Sequence, residues 1–163
     1  MKKITAACFA AALVVATTAG PAVAATPPSY GDALDCLFGG LTNGPDSDPD
    51  MVDALMLTFE AAAAEAAGDY KEAMELLEDA HDVLEDADDA PVDCTGATAA
   101  SAGELAAYTV ALWDEAGAKQ KDLDHAEEHI TKGDKHLAKG KTDKAFKEYK
   151  KALKHAVKGL DKL

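Results

Sequence analysis

Three histidines give this sequence its clearest opening for chemistry. His129 follows His125 by four residues and His136 follows it by eleven. On a helix turning about 100° per residue, those offsets put the three imidazoles within about 40° of one another, in one stripe. Imidazoles at i and i+4 can share a Zn²⁺ or Cu²⁺ ion, with Asp122 or Glu128 as an oxygen ligand. His136 lies about two turns beyond His129, out of reach of the same ion. The practical site is therefore His125 and His129 with a residue from another element, Glu128 being a candidate oxygen ligand and His136 a more distant member of the stripe. The same spacing also describes three exposed histidines on the polar flank of a helix. It is not the H-E-x-x-H motif of zinc proteases, because Ala126 stands where the glutamate belongs.

Other reactive patterns are weaker. Asp46, Asp48 and Asp50 alternate as at the start of a calcium loop, but Met51 replaces the glycine such a loop needs and Leu57 replaces its closing glutamate. Asp48 fits better as an N-cap with Pro49 at the first helical position. His81 falls on an apolar helical stripe, the place of a hydrogen-bonded core histidine. His155 points away from Phe146 and Leu153 and is expected at the surface. There is no G-x-S-x-G, no phosphate-binding glycine loop and no cysteine nucleophile once the two mature cysteines pair. The expectation is a protein without enzymatic activity.

The chain that must position these residues opens with an export signal. Lys2 and Lys3 form a basic start, Ile4 to Thr18 an apolar and small-residue run, Gly20-Pro21 a break, and Ala22-Val23-Ala24 a cleavage site. Residues 1–24 are expected to be removed, leaving a periplasmic or secreted protein. Cys8 lies too early in that run to carry a lipid anchor, and no other run reaches the roughly 20 apolar residues of a membrane span. The mature chain keeps Cys36 and Cys94, an even count in an oxidising compartment, so a disulfide is expected between them. Closing a loop of about 59 residues, it contributes about 4 kcal/mol in the chain-entropy model.

Charge is strongly segregated. All 16 basic residues are lysines, and residues 25–118 hold 22 carboxylates against one lysine, whereas residues 119–163 hold 13 lysines against 8 carboxylates. Net acidity, an exported address and the lack of bidentate arginines exclude nucleic acid as a natural partner. The basic C-terminal helix is expected to lie on the acidic half of its own chain or of a second copy, with an anionic envelope surface as the other possible partner. Lys144, Lys147, Lys151 and Lys154 are the candidate contacts.

Apolar periodicity divides the chain into helices. Leu34, Leu37, Phe38 and Leu41 mark a short one. A second runs from Pro49 to about Ala67 with a core face of Val52, Leu55, Met56, Phe59, Ala63 and Ala66. After Gly68, Asp69 caps a third whose buried stripe is Tyr70, Ala73, Met74, Leu77, Ala80, His81 and Leu84. Ser101 and Glu104 form a capping box, and the phase from Leu105 through Leu123 to Leu137 predicts one long helix over 100–138, with Gly117 as the place for a bend. The last runs from about Asp143 to Leu160 and buries Ala145, Phe146, Tyr149, Ala152, Leu153, Ala156, Val157 and Leu160.

Gly68-Asp69-Tyr70-Lys71-Glu72-Ala73, with Leu77 and Ala80, resembles the turn and second helix of a tetratricopeptide repeat. Gly140, Ala145, Phe146, Tyr149 and Ala152 echo it 72 residues later, with Ala61 and Gly133 at the small position of each first helix. The resemblance implies an all-α helical bundle of two such hairpins, about 50–87 and 100–161, with a short N-terminal helix, in one domain over 25–163. Separately, His125-Ala126-Glu127-Glu128-His129, His136 and His155 are similar to the small His-rich metal-binding proteins of bacterial periplasms. The expected function is a non-catalytic binding or structural module of the cell envelope, acting on a protein partner or by self-association. The alternative is a periplasmic divalent metal-binding protein using the histidine stripe.

Overall fold

The computed structural model describes residues 27–43, 48–87 and 93–160; the expected signal peptide lies outside them. The described chain is an all-α bundle of six helices: α1 (Gly31–Asn43), α2 (Pro49–Ala66), α3 (Tyr70–Asp86), α4 (Thr95–Glu115), α5 (Gln120–Leu137) and α6 (Thr142–Leu160). No helix of the described residues is long and apolar enough to cross a membrane.

Three connections use one device. At Gly68, Gly117 and Gly140 the backbone takes positive φ, +83°, +89° and +65°. In each case the following residue's N–H reaches back five positions, Asp69 to the Ala64 carbonyl, Ala118 to Trp113 and Lys141 to His136. That pattern closes a helix with its last carbonyls satisfied and turns the chain back on itself. The starts are capped as local chemistry dictates: Asp48 accepts from the Asp50 N–H at 3.0 Å and Asp69 from the Glu72 N–H at 3.1 Å.

Gly117 corrects the expectation of one helix over 100–138. α4 and α5 are separate, and the apolar phase runs across the break because both helices face α6, with Val110, Trp113, Leu123, Ala126 and Ala156 in one cluster. The capping box is also corrected. Ser101 is buried inside α4, the helix starts six residues earlier at Thr95 with Cys94 as N-cap, and Asp93 just before it accepts from the Thr95 N–H at 3.0 Å and hydroxyl at 2.6 Å. Glu104 instead accepts from the Ser29 N–H at 3.1 Å.

α4 is the hub, in contact with α1, α3, α5 and α6. Its sequence of Ala, Gly, Ser and Thr lets neighbours approach from most sides, and the buried hydroxyls bond their own helix, Thr109 donating to the Leu105 carbonyl at 2.8 Å. Closest contact falls on glycines. A methyl group added at Gly133 of α5 or Gly103 of α4 would lie 2.3 Å or 2.9 Å from the buried Tyr149 ring, and one at Gly159 would meet Trp113. The main core joins Ala61, Met74 and Leu77 to Leu105, Phe146 and Tyr149, and a second cluster gathers Leu37, Met51, Leu55 and Leu84 around Cys94. Cys36 and Cys94 lie at bonding distance with Cα atoms 5.8 Å apart.

The expected core face of α2 is rotated by about one residue, or 100°. Met51, Ala54, Leu55, Thr58 and Ala61 are buried. Val52, Met56 and Phe59 are 37%, 54% and 43% exposed, and Phe38 of α1 is 46% exposed. Small residues on the inner side bring α3 close to α2, so the larger apolar side chains are left outside. α3 follows its expected stripe, with Ala73, Met74, Leu77, Ala80, His81 and Leu84 buried.

Candidate functional site

The histidine stripe lies on α5, and α6 completes it differently from expectation. His125 is exposed. His129 is half-buried and its Nδ1 lies 2.7 Å from Glu148 Oε2 on α6. Its ring stacks on His155, also of α6, with centroids 5.9 Å apart and planes 13° from parallel. Burial, then the neighbouring His129 and His125, hold the His155 imidazole below its usual pKa. His155 is thus exposed but packed across the helix pair, rather than simply facing away. Glu128 pairs with Lys132 one turn along at 2.8 Å, and the Lys132 ammonium lowers its carboxyl pKa. Glu148, lowered by Lys151 and then by His129, is the carboxylate that meets the stripe. His136 stands apart, its Nδ1 buried without a hydrogen-bond partner among the described residues.

A second group was not anticipated. Among the described residues, His81, Glu85 and Asp143 form a group of three potential metal ligands whose donor atoms all lie within 4.8 Å of one another. His81 and Glu85 are a turn apart on α3, and Asp143 is in the first turn of α6. The imidazole is buried, packs on Phe146 with centroids 4.7 Å apart, and directs Nε2 to Asp143 Oδ1 at 3.4 Å. Asp143 raises the Glu85 carboxyl pKa by its like charge. Partial burial, then Glu78, raises that of Asp82. Sequence alone marked His81 as a core residue from its stripe; its partner comes from 62 positions away.

The third feature is a groove of about 420 Å³ between α3 and α6. Met74, Leu153 and Val157 form its apolar lining, and Lys71, Lys150, Lys154, Lys158 and Glu75 the charged part. Lys150 pairs with Glu78 of α3, so the basic helix does meet the acidic half of its own chain. Of the four candidate lysines only Lys154 lines the groove. Lys151 pairs with Glu148 at 2.6 Å, and Lys144 and Lys147 are exposed elsewhere on α6.

No known protein family, curated protein or solved structure matches the chain.

Proposed function

We propose that this protein is an exported, non-catalytic helical module of the cell envelope that works by association, and that its partner is a second copy of the same chain. The observation that carries this reading is the opposite charge of two surfaces that both hold apolar side chains. On α2, the apolar side chains Val52, Met56 and Phe59 are exposed beside the carboxylates of Asp53 and Glu60. Between α3 and α6, Lys154 and Lys158 stand at a groove floored by the buried Met74 and Leu153 and the partly exposed Val157, beside Lys71 and Lys150, which pair with Glu75 and Glu78. Lys154 and Lys158 are opposite in charge to Asp53 and Glu60, and opposite charge beside apolar side chains supplies both encounter and register. The exported address rests on the Lys2-to-Ala24 leader pattern.

Sedimentation velocity over rising protein concentration tests this. The expected result is a rise in mass that high salt weakens. Lys154→Glu/Lys158→Glu should hold the protein monomeric, and adding Asp53→Lys/Glu60→Lys should restore association. A chain that stays monomeric at every concentration, or associates equally well after the lysine reversal, refutes the reading.

A second reading has one specific observation in its favour. The stacking of His155 on His129 brings an imidazole of α6 beside the stripe, the element from which a Zn²⁺- or Cu²⁺-binding site at His125 and His129 would draw a further ligand.

A further inference from the structure

The geometry points to a divalent metal site at His81, Glu85 and Asp143, taking a first-row ion such as Zn²⁺ and joining α3 to the start of α6. Four observations carry it. First, the three donor atoms already lie within 4.8 Å of one another. Second, His81 Nε2 and Asp143 Oδ1 are 3.4 Å apart, long for a hydrogen bond, whose usual length is about 2.9–3.0 Å. It is the edge of a tetrahedron around an ion with bonds of about 2.1 Å, which comes to roughly 3.4 Å. Third, the imidazole is fixed before any ion arrives, its side chain only 2% exposed and its ring held against Phe146. Fourth, the carboxylates open to water, Asp143 at 51% exposure, so an ion has an entry path and a place for a bound water.

The donor set selects the ion. One imidazole nitrogen and two carboxylate oxygens suit Zn²⁺ and its neighbours, whereas Ca²⁺ and Mg²⁺ take oxygen alone. Among the described residues no free thiolate competes, because Cys36 and Cys94 are paired with each other. Glu85 and Asp143 bring like charges together, and an ion between them converts that repulsion into attraction. With Nε2 on the metal, the imidazole proton resides on Nδ1.

The test is calorimetric titration of the oxidised exported chain with ZnCl₂, using the parent, Asp143→Asn, Glu85→Gln and His125→Ala/His129→Ala. Glu85 and Asp143 are exposed, so their variants should keep the helical circular dichroism of the parent, which is checked first. The parent and the His125/His129 variant should each fill the site with one equivalent. Asp143→Asn and Glu85→Gln should each weaken that binding at least about tenfold, since even outer-shell changes cost 10–100-fold. The parent's melting temperature should rise with Zn²⁺ and that of Asp143→Asn should not. Absence of Zn²⁺ binding, binding by both carboxylate variants equal to the parent's, or loss only in the His125/His129 variant overturns the assignment.

Discussion

Replacing Gly133 by alanine should destabilise the bundle even though alanine is the better helix former. The added methyl carbon would lie 2.3 Å from Tyr149 Cε1, 2.6 Å from Cδ1 and 2.8 Å from Cζ, against the 3.5–4.0 Å of a favourable carbon contact. The ring has little room to retreat. It is 1% exposed, Gly103 of α4 approaches it as well, and its hydroxyl donates to Asp134 at 2.8 Å. Either α5 and α6 separate or the ring leaves its well. Overpacking of this kind costs about 1–3 kcal/mol, and overlap with three ring atoms argues for the upper end. Alanine's helix preference offsets about 1 kcal/mol. The net loss is about 2 kcal/mol, or roughly 8 °C in melting temperature at about 4 °C per kcal/mol for a chain of this size. Urea unfolding followed by circular dichroism reads it directly. Gly96→Ala, in α4 with nothing near its added carbon, is the control and should gain up to about 1 kcal/mol. In a Tyr149→Leu background the Gly133→Ala penalty should disappear, because the ring edge that causes it is gone. A neutral Gly133→Ala, or a penalty that persists beside Leu at position 149, would refute the reasoning.

Two further outcomes concern pH. The Thr95 hydroxyl, then its N–H, holds the Asp93 carboxyl below its ordinary value of 3.8, so these two hydrogen bonds are at full strength above that value and lost as pH falls through the lowered pKa; Asp93→Ala should cost about 1 kcal/mol at neutral pH and nothing in strong acid, and a difference in urea midpoint that survives acidification contradicts it. His155 binds its proton more weakly folded than unfolded, so stability drops as pH falls from 6.5 toward the lowered value; His155→Gln should flatten that part of the thermal stability curve and leave mild alkali unchanged, and an unaltered slope counts against it.

Helix positions were most legible where one stripe carries large apolar residues. α3 and α6 have such stripes, and Leu77, Leu84, Phe146, Tyr149 and Leu153 are buried as their spacing predicts. α4 has none, since residues buried on several sides follow no single period, and Ala99, Ala102 and Ala106 carry little hydrophobic signal in a run that also holds Thr98, Ser101 and Thr109. Its first turn therefore read as loop. α2 misled for the opposite reason: its larger residues form a stripe, but Ala54, Thr58 and Ala61 form the closer-packing one. The histidine spacing on α5 was visible, whereas His155, Glu148 and Asp143 meet His129 and His81 only because α6 folds back on α5 and α3. No pairwise spacing along the chain encodes that return.

The line where α3 meets α6 gives the charge segregation a spatial meaning. The two helices run antiparallel there: Met74 shares a groove with Leu153 and Val157, Glu78 pairs with Lys150, and His81 meets Phe146 and Asp143. One end carries Lys71, Lys154 and Lys158 beside apolar side chains, and the other gathers Asp82, Glu85 and Asp143 around a buried imidazole. Lys150 and Glu78 stand between the ends at 40% and 30% exposure, where an ion pair contributes at most about 1 kcal/mol. Stability is a weak reason for that pair. Its position explains more, because it neutralises the middle of the line and leaves opposite fields at the two ends. The self-association proposed above would use the basic end and the proposed Zn²⁺ site the acidic one, so the two proposals draw on opposite ends of a single pair of helices.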